Sequence, residues 1–298
     1  MKNGAGSGGK WLDVSAERFP GWIVSFAVRH GLSDAGGVLP GETGGDGQAA
    51  EFIRAGASRP PSAGMGAPLA VTFGDDHASF TAADGSVAEC FPPFPPPGGV
   101  GLLAAGLGAD FAADAASTTS TVDSPASYAD IAALTEAFAA HARRPRTVGV
   151  LLVRLGGYAA GVFAGYPPAL QEAKVGSRPV HGRSAAGGWS QHRFARRREK
   201  QASEALDAAA NAAVLIFGKA QSAGPSGATD RSKSKTELDA VVLGGDRRAV
   251  AELRDDPRLA PYFRLATERF LTVPDPKRAV LLETPRLFTA VRIRLTEA

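Results

Sequence analysis

The sequence is poor in cysteine and methionine, and it contains no long apolar run. Its 298 residues include one cysteine, Cys90, and two methionines. A single cysteine excludes an internal disulfide framework and a zinc site built from several cysteines. No stretch approaches the ~18 consecutive apolar residues of a membrane-spanning helix, and no apolar segment follows the opening MKNGAGSGGK as in a secretory signal. We therefore expect a soluble, cytoplasmic protein with no membrane partner.

Familiar catalytic motifs are missing or incomplete. Residues 4–10 have the spacing of a phosphate-binding G-x-x-x-x-G-K loop, but Trp11 stands where a serine or threonine must bind magnesium. No G-x-S-x-G or H-E-x-x-H motif occurs. Asp75, Asp76 and His77 could hold a metal ion, but their place at a strand end is more typical of a polar turn. The sequence predicts no cofactor and no metal site.

Charge is divided unevenly along the chain. Residues 1–140 hold 6 Lys+Arg and 15 Asp+Glu, a net charge of −9, whereas residues 141–298 hold 27 and 15, a net charge of +12. A strongly basic half favours a polyanionic partner, most often nucleic acid, although a solvated basic face without a ligand has the same composition. We predict two domains: an acidic α+β domain over 1–140, whose role the sequence does not assign, and a basic domain over 141–298.

The hydrophobic patterns predict a mixture of helices and strands in both halves. In the first half we expect strands at 22–28, 68–73, 78–81 and 86–91, and a helix over 128–143. In the second half we expect strands at 147–155, 158–164, 173–178, 240–243, 270–273 and 291–295, and helices over 190–217 and 247–254. The fold class is therefore α/β, or α+β overall, in which a mixed β-sheet covered by helices follows the first domain.

Basic residues concentrate between 174 and 200. Positions 193, 196, 197 and 200 follow helical spacing and would form one basic face suited to phosphates, while small residues on the opposite stripe would pack against a sheet. The candidate RNA-binding residues are Lys174, Arg178, Arg183, Trp189, Arg193, Arg196, Arg197, Arg198 and Lys200. Trp189 could stack on a base or ribose, or anchor the loop on its own domain.

The junction between this loop and the predicted helix reads Gly-Gly-Trp-Ser-Gln, from Gly187 to Gln191. A glutamine amide both donates and accepts hydrogen bonds, so Gln191 can orient a water molecule. Backbone N–H groups at a helix N-terminus can stabilise a developing oxyanion. His192 could shuttle a proton or assist attack by a 2′-hydroxyl, whereas Ser190 lacks the signature of an activated nucleophile.

Residues 174–198, KVGSRPVHGRSAAGGWSQHRFARRR, resemble the catalytic loop of the Vms-like release factors in their actinobacterial form. That family resembles the middle domain of eukaryotic and archaeal class-I release factors, and the similarity covers about 147–298. It implies a mixed-sheet fold and action on peptidyl-tRNA at the large ribosomal subunit, in contact with rRNA. The release factors have Gly-Gly-Gln contiguous, whereas Trp189 and Ser190 intervene here.

The resemblance implies a catalytic set within the loop and the start of the helix. Its members are Gly187, Gly188, Ser190, Gln191 and His192. The expected activity is peptidyl-tRNA hydrolysis in translation release or ribosome rescue, with Gln191 positioning water at the ester. Two alternatives stay open: an endonuclease that cuts tRNA near its 3′ end, and a non-catalytic ribosome-binding or RNA-binding module.

Overall fold

The computed structural model describes residues 9–30, 69–104, 128–154, 157–177, 190–222 and 237–298. The chain divides into two compact units. Unit 1 comprises the chain up to Arg143 together with Thr289–Ala298, and unit 2 is Arg144–Phe288. The division expected from the charge pattern places the last strand in the domain over 141–298. In the structure this strand lies in unit 1.

Unit 1 is built on a five-stranded antiparallel sheet in the order β1-β10-β4-β3-β2. Its strands are β1 (Lys10–Val14), β2 (Leu69–Phe73), β3 (Ala78–Ala82), β4 (Val87–Phe91) and β10 (Val291–Thr296). Its helices are α1 (Phe19–His30), α2 (Tyr128–Ala142) and the 3-10 turn Val100–Ala104. Along each strand, successive side chains point to opposite faces of the sheet. One of these faces packs against both helices and forms the core of unit 1 with them.

Helix α1 replaces the strand expected at residues 22–28. The segment WIVSFAV is apolar almost throughout and rich in β-branched and aromatic residues, which favours a strand. Its buried residues are instead Phe19, Ile23, Phe26 and Ala27, which are spaced as on one face of a helix. Phe19 stacks on Phe138 of α2 at 5.7 Å between ring centroids. Helix–helix packing therefore overrides the local strand preference.

Unit 2 is built on a five-stranded mixed sheet in the order β7-β6-β5-β8-β9. Its strands are β5 (Arg146–Arg154), β6 (Gly157–Gly165), β7 (Ala169–Ser177), β8 (Ala240–Gly245) and β9 (Ala266–Leu271). Its helices are α3 (Ser190–Ser222), α4 (Arg247–Leu253), α5 (Ala260–Phe263) and α6 (Arg278–Phe288). Strands β5, β6 and β7 form an antiparallel meander, whereas β8 and β9 continue the sheet in parallel with β5.

Helices cover both faces of this mixed sheet. Gly149 of β5 faces α3, because a Cβ at this glycine would lie 3.0 Å from the Phe217 ring. On the other face, Phe163 of β6 makes an edge contact with Phe288 of α6 at 5.8 Å between centroids. Burial on both faces explains why six consecutive residues of β5, from 148 to 153, are buried.

The structure confirms the α/β fold class and most elements of the second half. The hairpin expected around residues 156–157 forms between β5 and β6. Several expectations are wrong in detail. Strand β9 covers Ala266–Leu271 instead of 270–273, and β7 begins at Ala169 instead of 173. Gly218 does not end the long helix, which continues to Ser222, and Ala202, expected on the packed stripe, is exposed. Helix α6 has no counterpart among the predicted elements, because proline normally interrupts a helix and Pro285 lies in its last turn.

Candidate active site

The predicted site lies where strand β7 ends and helix α3 begins. Helix α3 begins at Ser190, as expected, so Gln191 and His192 occupy its first turn. The backbone positions of Arg193, Arg196, Arg197 and Arg198 follow in the next two turns. Positions 193, 196/197 and 200 are spaced at i, i+3/i+4 and i+7 along this helix, and their sharing of one basic face stays a prediction. Gly187, Gly188, Trp189, Arg178 and Arg183 lie outside the described residues.

Two of the predicted RNA-binding side chains are described in full. Lys174 is exposed on β7, and Lys200 is exposed on α3. Lys174 pairs in register with Ala160 of β6, three residues before β7 ends at Ser177. Both lysines are therefore accessible to a polyanion from the solvent side of their elements.

Helix α3 is the longest of the described helices. It has 33 residues, a length of about 50 Å at the usual rise per residue. Among the described side chains its first buried one is Ala205, and Lys200, Ala202, Ser203 and Glu204 are exposed. Gln191 lies about 21 Å along the helix axis from Ala205. The first four N–H groups of any helix lack intrahelical acceptors, so the N-terminal end of α3 carries a partial positive charge.

The C-terminal half of α3 is fixed on the sheet by apolar packing. Phe217 lies against Gly149 of β5, and its ring meets the Tyr262 ring edge-on at 5.2 Å between centroids. Burial raises the pKa of the Tyr262 phenol. Alanines at 209, 210, 212 and 213 complete the buried face. Small residues let the helix approach the sheet closely.

Two polar contacts add to this anchor. The Lys219 ammonium forms an ion pair with Glu172 of β7, the strand that leads into the candidate loop. The Arg258 guanidinium donates a 2.6 Å hydrogen bond to Asn211 of α3 and another of 2.6 Å to Asp256. The hydrogen bonds that the Asp256 carboxylate accepts from Arg258 lower its pKa. The helix is thereby tied to both the edge strand β7 and the loop after α4.

A contact at the end of β7 was not anticipated from the sequence. A Cβ at Gly176 would lie 2.5 Å from the Tyr158 hydroxyl oxygen and 2.6 Å from Tyr158 Cζ. Tyr158 itself is nearly buried in the cluster that includes α3. The signal in the sequence is a glycine inside a strand pattern, which marks a close approach by another group. Tyr158 and Gly176 thus determine the path of β7 just before the loop.

A groove of about 630 Å³ lies between α3 and α4. Its lining residues are Ala202, Ser203, Leu206, Asp207, Ala210, Arg248, Glu252, Leu253 and Asp256. Ser203 is about 18 Å along the helix axis from Gln191, and no described candidate site residue lines the groove. The groove is separate from the candidate catalytic position.

The described residues hold no ready metal centre. Over the six described ranges, no three His, Cys, Asp or Glu side chains lie close enough to hold a metal ion. At the β2–β3 turn, His77 Nδ1 lies 2.7 Å from Asp76 Oδ1, as in an ordinary polar turn. No helix in the part of the chain that the structure covers is long and apolar enough to cross a membrane.

Comparison with known proteins agrees with the similarity seen in the loop. A model of the Actinobacteria/chloroflexi VLRF1 release factor family matches residues 146–294, half of the chain. No curated protein matches the chain. A crystal structure of the archaeal translation termination factor aRF1 is similar with a TM-score of 0.32 and 12% sequence identity. That similarity covers 70% of this chain and 51% of the archaeal one, so the chain spans about half of its length.

The family match begins at the first residue of β5 and runs through the whole mixed sheet and its helices. This match places the chain in the class of release factors. Within that class, the chain belongs to the Actinobacteria/chloroflexi VLRF1 release factor family.

Proposed function

We propose that this protein is a peptidyl-tRNA hydrolase that frees nascent chains in translation release or ribosome rescue. Its catalytic group is Gln191, which orients a water molecule toward the ester between peptide and tRNA. The N-terminus of α3 stabilises the oxyanion that forms as water attacks. The partners in this proposal are the large ribosomal subunit, its rRNA and peptidyl-tRNA.

The observation that carries the proposal is the position of Gln191 in the first turn of α3. Among the described side chains of that helix, the first buried one, Ala205, lies about 21 Å away along the axis. A catalytic group at the start of so long a helix can enter a confined site on a much larger partner. The partner then supplies the walls of the site and excludes water from it.

The anchoring contacts of α3 suit this role. Catalytic positions need rigid support, and sites on helices are held more precisely than sites on loops. Phe217 against Gly149 and Lys219 with Glu172 hold the far half of the helix on the sheet. The basic residues at 193, 196, 197, 198 and 200 flank the catalytic end, where tRNA and rRNA phosphates would lie.

Domain roles follow from the same proposal. The basic second part, expected over 141–298, carries catalysis and RNA contact. The negative charge of the first part, expected over 1–140, disfavours docking on rRNA over most of its surface.

The deciding experiment uses ribosome–nascent-chain complexes that carry labelled peptidyl-tRNA. Wild-type protein and Gln191→Ala are added, and both the freed peptide and the 3′ end of the tRNA are resolved. We expect peptide release with full-length tRNA, slowed about a hundredfold or more in the variant, as when one group that stabilises the transition state is removed. Gln201→Ala, ten residues along the same helix, is the matched control and should release peptide at the wild-type rate.

Two other outcomes would each contradict the proposal and support a different function. Release that leaves a shortened tRNA would assign the protein as a nuclease acting near the tRNA 3′ end. Tight, salt-sensitive ribosome binding without release, unchanged in Gln191→Ala, would assign it as a binding module.

A further inference from the structure

Unit 2 interrupts unit 1 in the sequence. Strand β10 belongs to unit 1 but follows the whole of unit 2 in the chain. It is not an edge strand, because it is hydrogen-bonded to β1 on one side and to β4 on the other. Among the described strands, β10 is the only one that pairs with β1. The sheet of unit 1 is therefore completed by a segment that lies beyond unit 2.

Strand β10 also contributes to the core of unit 1. Val291 and Ile293 are fully buried, in the cluster that contains Phe19 and Phe138. Without β10, this core would lose two branched side chains, and β4 would have an unpaired edge. The other described strands would be the local meander β2-β3-β4 and the isolated β1. Docking of β10 is therefore the step that completes unit 1.

That step joins segments that are far apart in the sequence. Strand β4 ends at Phe91 and β10 begins at Val291, 200 positions later. The entropy cost of closing a flexible loop rises with its length, and contacts between distant segments form slowly. While unit 2 is unfolded, its residues make up most of the loop between β4 and β10. Docking of β10 is therefore slow in a chain whose unit 2 is unfolded.

Folding of unit 2 shortens this loop. Strand β5 begins at Arg146, shortly after α2, and α6 ends at Phe288, shortly before β10. The Phe288 ring contacts Phe163, whose register partner Val148 is two residues from Arg146 along β5. Both ends of unit 2 therefore lie at the same end of its sheet. A folded unit 2 is a short bridge between α2 and β10, whereas an unfolded unit 2 is a flexible chain of 145 residues.

We propose that unit 2 folds first and that β10 joins the sheet of unit 1 only afterwards. All five strands of the mixed sheet lie within Arg144–Phe288, so unit 2 needs no strand from unit 1. Strands β5, β6 and β7 are joined by connections of two and three residues, which favour rapid pairing. The complete sheet of unit 1 is then present only in molecules whose release-factor unit has already folded. This folding order is independent of the proposed catalytic function.

The test follows refolding of the full chain from urea by pulsed hydrogen exchange and mass spectrometry. Peptides from β8 report the folding of unit 2. Peptides from β1 report the docking of β10, its one partner among the described strands. Refolding begins after only brief unfolding, so that the prolines keep their native isomers. We expect β8 to become protected in an earlier phase than β1.

Two matched substitutions test the cause of this order. Leu152 on β5 and Leu69 on β2 are both fully buried, and an unpaired carboxylate at either position should prevent its own unit from folding. In Leu152→Asp, β1 should become protected at least about tenfold more slowly than in wild type, because the longer loop must close. In Leu69→Asp, β8 should become protected at the wild-type rate.

Three results would overturn the proposal. The first is protection of β1 before β8, or together with it, in the wild-type chain. The second is an unchanged rate for β1 in Leu152→Asp. The third is slower protection of β8 in Leu69→Asp, which would show that unit 2 depends on unit 1. If β8 still becomes protected in Leu152→Asp, Val150→Asp on the same strand is added so that unit 2 stays unfolded and the comparison decides.

Discussion

The Tyr158 ring occupies the space that a side chain at Gly176 would need. A Cβ at Gly176 would lie 2.5 Å from the Tyr158 hydroxyl oxygen, well inside van der Waals contact. The two residues pair in register on β6 and β7, and Ser177, the next residue, ends β7. Strand β7 can therefore approach β6 here only because residue 176 has no side chain. The relationship allows β7 to pair closely with β6 up to its last described residues.

Gly176→Ala is expected to destabilise the protein by about 1–3 kcal/mol, as overpacking in a filled site does. The Tyr158 ring must move, and the end of β7 moves with it. Because that strand leads to the catalytic loop, the release rate should fall as well. Urea unfolding followed by circular dichroism measures the first effect, and the peptide-release assay measures the second.

The double variant tests the cause of that loss. Adding Tyr158→Leu to Gly176→Ala removes the ring and should recover part of the stability lost in Gly176→Ala, relative to Tyr158→Leu alone. Simple additivity of the two changes would show that the ring is not what opposes a side chain at position 176.

Gly218→Ala is expected to change stability in the opposite direction. Gly218 lies inside α3, and a Cβ there would lie 3.6 Å from the Tyr262 hydroxyl oxygen, an ordinary contact. Alanine is favoured over glycine in a helix interior by roughly 1 kcal/mol. The variant should therefore be stabilised by about that amount in the same urea experiment. A loss of stability would mean that the last turn of α3 does not persist in solution.

The second half of the fold was predictable largely because its signals are local. The apolar run of β5 and the return strand β6 are separated by two residues, and so short a connection requires antiparallel neighbours. The start of α3 at Ser190 was also anticipated, because the change from glycine-rich loop to helical spacing occurs there. The sequence therefore predicts Gln191 at a helix start.

Other features depend on partners distant in the chain. Strand β10 lies between β1 and β4, with Ile293 opposite both Leu12 and Cys90. No local pattern identifies such neighbours. The same holds for α1, whose helical burial pattern is set by packing against Phe138. At the site, the contacts that support α3, such as Arg258 with Asn211, join segments that only the tertiary structure brings together.

Replacing Arg196, Arg197 and Arg198 with alanine is expected to weaken ribosome binding and flatten its dependence on salt. Each arginine that contacts a phosphate releases counterions on binding, so the logarithmic slope should fall by roughly one unit per lost contact. Binding is measured by sedimentation with ribosomes over a series of salt concentrations.

A charge-matched control is available on the opposite face of the sheet. Lys277, Arg278 and Arg286 are exposed at or near α6, which packs on the face of the sheet away from α3. Their triple alanine variant removes the same charge and should leave the slope nearly unchanged. Equal slopes in the two triple variants would mean that net charge, and not the basic end of α3, governs binding.

The Asp256–Arg258 pair predicts how stability depends on acid. Hydrogen bonds from the Arg258 guanidinium lower the pKa of the Asp256 carboxyl in the folded protein. A carboxyl whose pKa is lower when folded binds fewer protons in the folded state, so it adds stability above its unfolded pKa, about 3.9. That contribution is lost as the pH falls from there through the folded pKa. Because solvent screens the pair, we expect this contribution to be small.

Asp256→Asn should accordingly be less stable than wild type near neutral pH, and the difference should shrink below about pH 4. Urea unfolding of both proteins over a pH series measures this convergence. Asp255→Asn, at the exposed neighbouring residue, controls for the loss of one negative charge and should show no comparable convergence. A difference between wild type and Asp256→Asn that stays constant into strong acid would mean that the carboxylate charge contributes nothing. The hydrogen bond from Arg258 to Asn211 would then be the contact of Arg258 that stabilises α3.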